Sequence, residues 1–384
     1  MNFFDVLKAE SKLIFSDIAI MLTIIGGVIL YSFLYPQPYA KESVSSLPIT
    51  VVDLDKSDIS RHITFALNAT PGVSVVRRDL SQKDALQALE KTLVKGVVII
   101  PAHFKRDLAL GISPTIAVGA DSSYFLIYGA VLESAMKAVL TESAKIKIAN
   151  LLKKQLPLSG AKDAYTPYSV NTINLFNKNN SYTEYVVPAV FILILQQTLL
   201  IGLGILGGGI NERRRKGESL HLDKAKSYQI ILSRVIVFGS IFFAHMLFYF
   251  GFSYENFGIS HIAKIEELLS FGVVFLLAVI AFGLFLGSLF SSREIATPVV
   301  LFSSLPFIFS VGFIWPIEAI PAFVQYLSYL VPSTPAIKGF LELNQMGTSL
   351  DMLGTETALL VAQMLLYTTL FMILEKRRKG TPTP

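Results

Sequence analysis

Residues 185–210 read YVVPAVFILILQQTLLIGLGILGGGI, and residues 211–217 continue as NERRRKG. The first stretch holds 26 residues without a charge, more than the roughly 20 apolar residues that an α-helix needs to cross a bilayer core. Four basic residues, Arg213 to Lys216, follow almost at once. Basic clusters of this kind are typical of the cytoplasmic ends of spans. The stretch therefore predicts a membrane span, and its charged end fixes the orientation of the chain.

The composition agrees with a membrane protein. Of the 384 residues, 52% are apolar and only 16% are charged, whereas roughly 25% are charged in soluble domains. The net charge of +5 comes from basic residues spread along the chain, so it does not indicate a nucleic-acid partner. The absence of cysteine excludes disulfides, thiolate metal sites and cysteine nucleophiles.

Six apolar stretches are long enough to span, at residues 17–36, 184–210, 228–253, 266–291, 294–315 and 353–375. The connection 211–226 carries six basic residues and the tail 376–384 carries four. The two short connections on the opposite side carry one each, Lys264 and Lys338. The positive-inside rule then predicts six spans with both termini in the cytoplasm.

The N-terminal segment leaves two alternatives open. Residues 1–16 alternate apolar and charged side chains, which predicts an amphipathic helix on the cytoplasmic surface; a frayed terminus is the other interpretation. The next segment, 17–36, has a longer apolar stretch than a signal peptide and no A-x-A cleavage site, so we interpret it as a retained span.

Residues 41–182 lack any apolar run of membrane length and are predicted to form an extracytoplasmic α/β or α+β domain. The predicted strands are 49–53, 73–76, 96–100 and 115–118, and the predicted helices are 57–68, 81–93, 104–110 and 122–156. A polar, asparagine-rich loop is predicted at 171–180. The many basic residues of the domain 41–182 do not break the positive-inside rule, because long domains cross the membrane regardless of their charge.

The sequence contains no recognisable active site. The dipeptide Gly-Lys never occurs, so there is no P-loop, and any ATP-driven work must be powered by another polypeptide. The five histidines are scattered and no G-x-S-x-G is present, which argues against a metal site and a serine hydrolase. We therefore expect no catalytic residue, metal or cofactor in this chain.

Three polar side chains are predicted within the spans: Gln196, Gln197 and His245. Polar groups are costly in lipid, so they should face a translocation path or make interhelical hydrogen bonds, and both interpretations stay open. Five glycines of the second span are expected to permit close helix packing; they are Gly202, Gly204, Gly207, Gly208 and Gly209.

Two segments outside the spans also have two interpretations each. Residues 212–220, ERRRKGESL, are either a topology-setting charge cluster or a short surface helix presented to a cytoplasmic partner. Residues 316–348 are apolar but interrupted by prolines, which predicts short helices dipping into the outer leaflet as a re-entrant gate. An interfacial loop anchored by aromatic residues is the alternative.

These motifs together resemble the permease subunits of type-2 ABC (ABC-2) exporters, in the branch with a large periplasmic domain between the first two spans. ERRRKGESL is similar to the family's coupling-helix motif at Glu212, Arg213 and Gly217, and departs from it at Arg214 and Glu218. FIWPIEAIPAFVQYLSYLVPSTPAIKG is similar to the family's stretch after span five, and VVDLDKSDIS to its outer domain. The resemblance covers nearly the whole chain.

The resemblance implies a membrane all-α six-helix bundle, the type-2 ABC exporter fold, with an inserted periplasmic α/β domain, in a bacterial inner membrane. It implies a second permease subunit, identical or paralogous, and cytoplasmic ABC ATPase subunits that bind ATP and magnesium. A periplasmic adaptor and an outer-membrane channel are common partners in this branch. Glu212, Arg213 and Gly217 would couple to the ATPase. Pro316, Glu318 and Pro321 would form the outer gate.

The function implied is export of an amphipathic small molecule, drug-like or lipid, as in multidrug efflux, along a path lined by spans two and five. A receptor-like or scaffolding membrane protein is the main alternative. Six spans, paired outer prolines and a basic cytoplasmic segment exceed what display of a ligand-binding domain requires. An intramembrane enzyme is a weaker alternative, because no acid, base or metal constellation is visible in the spans.

Overall fold

The structure is a computed structural model that describes residues 2–39, 45–110, 112–121, 125–153, 182–218, 220–315 and 317–380. The chain divides into two compact units, a helical unit (Met1–Ala40 with Asn174–Pro384) and an α/β unit (Lys41–Ile173). In chain order the described elements are α1 (Phe3–Phe15), α2 (Ile18–Leu34), β1 (Leu47–Asp53), α3 (Asp58–Asn68), β2 (Val73–Arg78), α4 (Gln82–Glu90), β3 (Gly96–Ile100), α5 (Phe104–Ala109), β4 (Ala117–Ala120), α6 (Phe125–Lys153), α7 (Tyr182–Arg215), α8 (His221–Lys224), α9 (Ser227–Asn256), α10 (Ile265–Leu289), α11 (Ala296–Ser310), α12 (Ala322–Ser328), α13 (Ser333–Met346) and α14 (Gly354–Gly380).

The α/β unit contains a four-stranded sheet in the order β2-β1-β3-β4. β1 is parallel to β2 and β3, and β4 is antiparallel to β3. Because successive side chains of a strand point to opposite faces, Ile49 and Val51 pack with α3 and α6, whereas Val52 packs with Ala85 of α4. The predicted alternation of strands and helices is present in this unit, with helices on both faces of the sheet.

Some boundaries in the α/β unit differ from the predicted ones. The fourth strand begins two residues later than predicted, at Ala117. The helix predicted to reach residue 93 ends at Glu90, because the chain turns at Thr92, whose φ is +56°. The long helix is described over Phe125–Lys153. Residues 122–124 and 154–156, and the predicted loop 171–180, lie outside the described residues.

The helical unit is built around α7. Of the most apolar window of this helix, 94% is buried inside the protein, and α2, α10, α11 and α13 all pack against it. A helix that is apolar on every side is stable only when it is covered on every side. The uncharged run at 185–210 is therefore the central helix of this unit.

Among the described residues, four helices are long and apolar enough to cross a membrane: Val186–Arg215, Ser227–Asn256, Ile265–Leu289 and Gly354–Arg378. The helices α1 and α2 pass the same test only as a pair; they are bent by 77°, as in a broken span or a re-entrant loop. These helices identify an α-helical membrane protein, as predicted. The count of six spans stays a prediction.

The predicted span 294–315 differs most from the structure. Its helix, α11, has 15 residues and ends at Ser310, which is fewer than the roughly 20 residues that a crossing needs. The chain leaves the helix before Gly312, whose φ of +96° is incompatible with a continuing right-handed helix. A short α11 followed by an irregular segment thus replaces one long helix.

Glycines bring α7 and α10 into backbone contact. A Cβ placed on Gly207 would lie 2.5 Å from the carbonyl carbon and oxygen of Gly287, and a Cβ on Gly287 would lie 2.7 Å from the carbonyl oxygen of Leu203. Gly209, two residues further along α7, would meet no atom within 4 Å. Close packing is therefore confirmed for Gly207, and it is not the role of Gly209.

We predict that Gly207→Ala destabilises the protein and that Gly209→Ala does not. The first change adds a methyl group against a backbone that is itself part of a helix, and overpacking of this kind costs about 1–3 kcal/mol. The second should be neutral or slightly stabilising, because alanine is the better helix former. Melting temperatures of the two purified variants in detergent provide the measurement. An equal fall in melting temperature for both variants would contradict the close backbone contact of α7 with α10 at Gly207.

Candidate functional site

The charged end of α7 is continuous with the central helix. α7 runs from Tyr182 to Arg215 without a break, so Glu212 and Arg213 lie in its last turn. The interpretation of residues 212–220 as a separate surface helix is therefore wrong. No glycine or proline interrupts the chain between Ile210 and Lys216, so the helix continues until Gly217. The next helix, α8, begins at His221.

Gly217 ends α7 with a Schellman motif. Its φ is +77°, in the left-handed region that glycine adopts without strain. The Gly217 amide donates to the Arg214 carbonyl (3.0 Å), and the Glu218 amide donates to the Arg213 carbonyl (3.1 Å). These two bonds satisfy carbonyls that have no intrahelical partner. The glycine of the motif is thus required by the backbone, whatever else the motif does.

A buried ion pair ties this end of α7 to α14. Arg214 donates through Nη1 to Glu375 Oε1 (2.8 Å) and through Nη2 to Glu375 Oε2 (3.2 Å), a two-pronged geometry that fixes both side chains. The side chains are only 18% and 7% exposed. Asp223, in α8, lies 3.5 Å from Arg214 Nε. We call Asn211, Arg214, Asp223, Glu375 and Arg378 the charged cluster.

Asn211 brings α10 into the charged cluster. Its Nδ2 lies within hydrogen-bond distance of the carbonyls of Gly287 (3.3 Å), Ser288 (3.1 Å) and Phe290 (2.8 Å). These belong to the last turn of α10, where carbonyls lack intrahelical partners. Arg378 donates to Asn211 Oδ1 (2.9 Å) and to the Ser288 carbonyl. The ends of α7, α10 and α14 are therefore joined by side-chain hydrogen bonds.

A second buried ion pair fixes α1 against α9. Arg234 Nε donates to Glu10 Oε2 at 2.9 Å, and both side chains are almost fully buried. Val6 and Ile14, one turn to either side of Glu10, are buried on the same face of α1. A buried charge is tolerated only with a partner, so this pair determines where α1 docks. The position of α1 at the membrane surface stays a prediction.

The other face of the α7 end is open to solvent. Glu212 and Lys216 form an i,i+4 ion pair (2.8 Å), and the hydrogen bond that Lys216 donates to Glu212 raises the pKa of Lys216. Arg213 Nε and Glu218 Oε2 lie 4.0 Å apart. These side chains border a cavity of about 180 Å³ that also reaches Arg293. This face therefore offers exposed charges of both signs to a partner.

The three polar residues predicted within the spans do not converge. Gln196 is buried and donates to Ser333 Oγ of α13 (3.0 Å), and its Oε1 has no hydrogen-bond partner among the described residues. His245, also buried, lies against the backbone of Ile24 in α2. Gln197 is partly exposed. Gln196 and His245 therefore face different helices, and their role in a path stays a prediction.

The residues predicted for the outer gate are only partly described. Pro316 lies outside the described residues. Glu318 is exposed within a 3-10 turn, and Pro321 directly precedes α12. Short helices are thus present in this segment, as expected from the prolines. Their depth in the membrane and their action as a gate stay predictions.

Sequence reasoning missed the side chains that hold this outer segment. Gln325 donates to the carbonyls of Ile317 (2.8 Å) and Ile320 (2.7 Å) and so closes the turn before α12. α13 then packs against α7, α10 and α14. Lys338 of α13 reaches Glu356 of α14, with 2.6 Å between Nζ and Oε1. The second half of the segment is therefore part of the helix bundle.

The charged cluster was also missed. Glu375 was counted only as the last residue of the predicted span 353–375, and Asn211 was not singled out. No local motif marks either residue, because the hydrogen-bond partners that tie them to other helices lie 76 or more residues away in the sequence. Arg234 offered the clearest signal, as a lone charge within a long apolar helix, since such a charge requires a partner.

Comparison with protein-family models finds a match to the family described as ABC-2 family transporter protein, over residues 18–373. A search of curated proteins found no match.

We predict that Glu375→Gln lowers the melting temperature strongly, because Arg214 would lose its buried partner and keep only the more exposed Asp223 as a counter-charge. Loss of one partner of a buried ion pair costs about 3–5 kcal/mol. Arg214→Met/Glu375→Leu should recover most of this loss, since apolar pairs often replace buried ion pairs without penalty.

Lys216→Gln is the matched control. It removes an exposed ion pair from the same turn and should leave the melting temperature nearly unchanged. Thermal unfolding of the purified variants in one detergent measures all three. A Glu375→Gln variant as stable as Lys216→Gln would show that the buried pair does not hold α7 to α14.

Proposed function

The chain belongs to the ABC-2 family of transporter proteins, and from that premise we propose that it is the permease subunit of an ATP-driven exporter. Family membership implies partnership with an ABC ATPase subunit. We propose that the chain lies in a bacterial inner membrane with both termini in the cytoplasm and the α/β unit in the periplasm. Its cargo would be an amphipathic small molecule, drug-like or lipid, taken from the cytoplasm or the inner membrane.

The observation that carries this proposal is the construction of the α7 end. One face is charged, with Arg213 and Lys216 exposed and Glu212 partly exposed, as a docking face for another protein should be. The opposite face is fixed to α14 by the Arg214–Glu375 pair. A force applied at the exposed face would therefore move α7 together with α14, since separating them would leave charges buried without partners.

ATP binding in the partner would supply that force. The chain has no P-loop of its own, so the nucleotide and its magnesium ion would be bound by the ATPase. Coupling requires that the ATPase contact the permease differently in its nucleotide states. We propose that Glu212, Arg213 and Gly217 form the permease side of that contact, with Gly217 setting the direction in which the chain leaves the helix.

The path is proposed to be closed in the conformation described here. α7 is enclosed by helices of its own chain, whereas α11 exposes Val299, Phe302 and Phe309. We propose that α11 faces the second permease subunit and that movement of α7 opens a path between them. Gln196 would then be uncovered, which would give its unpaired Oε1 a role in contacting cargo.

A periplasmic adaptor and an outer-membrane channel complete the proposal as partners of the exporter. The opposing proposal is a receptor-like or scaffolding protein that binds a ligand without transport. Reconstitution of the chain with its ATPase in vesicles separates the two. ATP-dependent movement of an amphipathic dye into the vesicle lumen is expected, and an ATPase that neither binds nor responds to the permease would contradict the exporter.

We predict that Gly217→Pro uncouples ATP hydrolysis from transport. Proline cannot adopt a φ of +77° and has no amide hydrogen to donate to Arg214, so the Schellman motif would be lost. Gly217→Asn is the control, because asparagine tolerates the left-handed region. Transport per ATP hydrolysed should fall in the proline variant and persist in the asparagine variant. Equal ratios in the two would remove this turn from the coupling role.

A further inference from the structure

The α/β unit exposes leucine side chains that its own fold does not use. We call Leu54, Leu80, Leu86 and Leu93 the leucine surface; Leu80 is 83% exposed, and the others are 40–56% exposed. They contrast with the sheet side chains Val52 and Val97, which are buried against α4. Single exposed apolar residues are ordinary, but a cluster on one surface indicates an interaction site.

The leucine surface lies where α/β folds commonly bind ligands. Leu54 directly follows β1 and Leu80 follows β2, so both are at the carboxyl ends of a parallel strand pair. In open α/β sheets, ligands bind outside the carboxyl ends of the strands. β2 is an edge strand in the sheet order, so among the described residues no further strand covers this side.

Two grooves border α4 at this surface. One, of about 430 Å³, lies between the end of β2 and α4 and contains Leu80 and Leu93. The other, of about 710 Å³, contains Leu54, Leu80 and Leu86. Leu80 and Gln87 line both grooves, so the two form one continuous surface. Both grooves are shallow and open to solvent, so an elongated element could lie across them.

Of the three acidic side chains in the grooves, one is neutralised by an ion pair and a second accepts a hydrogen bond from a neutral donor. Asp79 pairs with Arg77 (2.8 Å), whose hydrogen bond lowers the pKa of Asp79, and it also accepts from Thr50. Asp84 accepts a hydrogen bond from Ser81 Oγ (2.7 Å). The serine hydroxyl is neutral, so Asp84 keeps its charge, and among the acids that line the grooves Asp84 and Glu90 have no ion pair within the described residues.

Apart from Arg77, the basic side chains of the grooves have no ion pair among the described residues. Arg78, Lys83 and Lys91 are exposed, and none of them makes an ion pair among the described residues. These three basic side chains therefore outnumber the two acids without an ion pair, Asp84 and Glu90, around the leucine surface. A second copy of the same surface would carry the same net positive charge, which disfavours self-association through it.

We propose that the leucine surface docks an acidic amphipathic helix of a partner protein. Helices that bind in grooves place apolar residues at i, i+3 or i+4 and i+7 along one face, and that face would cover Leu80, Leu86 and Leu93. Acidic residues flanking it would meet Arg78, Lys83 and Lys91. The inference concerns the α/β unit alone and stands independently of the proposed transport function.

The test uses a fluorescent probe on the full-length chain. Because the chain has no cysteine, Gln87→Cys allows an environment-sensitive dye to be attached between the two grooves. The labelled protein in phosphatidylcholine nanodiscs is titrated with a synthetic helical peptide of about 18 residues, five turns, with leucines on one face and glutamates on the other. A peptide with lysines in place of the glutamates is the second ligand.

The acidic peptide should shift the dye signal at a concentration at least about tenfold lower than the basic peptide, which corresponds to about 1.4 kcal/mol. Lys83→Glu/Lys91→Glu and, separately, Leu86→Ser should each remove that preference. Phe65→Ser is the control for Leu86→Ser. Phe65 is also an exposed apolar side chain (75%), on α3 of the same unit, but it lines neither groove.

Two results would overturn the proposal. One is a dye signal that responds equally to both peptides, or to neither of them, while all variants keep the melting temperature of the parent protein. The other is quenching of the dye by nanodiscs that contain brominated phosphatidylglycerol, since this would show that the leucine surface rests on the membrane.

Discussion

The ion pair between Arg214 and Glu375 is the constraint on which the helical unit depends. A guanidinium and a carboxylate that are largely withdrawn from water stabilise a protein only while they face each other, so the ends of α7 and α14 must stay at the same level. Asn211 extends the constraint to α10 by bonding the carbonyls that the end of that helix leaves unpaired. Further into the bundle, the contact of Gly207 with Gly287 allows α7 and α10 no space to slide or rotate. Three long helices thus form one body, and the turn of α7 that holds the ion pair also carries exposed charges.

The pair of Glu10 and Arg234 applies the same principle to α1 and α9. Each pair connects an element at the predicted cytoplasmic boundary with a helix that is otherwise apolar. Because a buried charge without a partner is costly, such a pair fixes the relative position of its two helices more strictly than apolar contacts do. The α/β unit is built differently: it has an ordinary apolar core between sheet and helices, and its unpaired charges and leucines face outward. The proposed transmission of force and the proposed docking of an acidic helix therefore lie in parts of the chain that are built differently.

Much of this architecture could be predicted from the sequence, because length and periodicity are local properties. The uncharged run at 185–210 identified the central helix, and alternating strands and helices identified the α/β unit. The prediction was wrong where a helix end decided the structure: the basic run belongs to α7 because nothing before Gly217 stops the helix. The short α11 was missed for the same reason, since Gly312 acts through a backbone angle. The pairing of Arg214 with Glu375 could not be predicted, because 161 residues separate the two and no periodicity in the sequence indicates that they are in contact.

The central claim is that α7 and α14 move as one body when the ATPase acts. Lys216 and Lys376 are exposed at the ends of these helices, and in a chain without cysteine each can be replaced by a spin-labelled cysteine. The distance between the two labels, measured by pulsed electron paramagnetic resonance in the complex with the ATPase, tests the claim directly. We expect the same distance distribution in the nucleotide-free and ATP-bound states, and a broader one when Glu375→Gln is added. A distance that changes between the nucleotide states with the ion pair intact would contradict it.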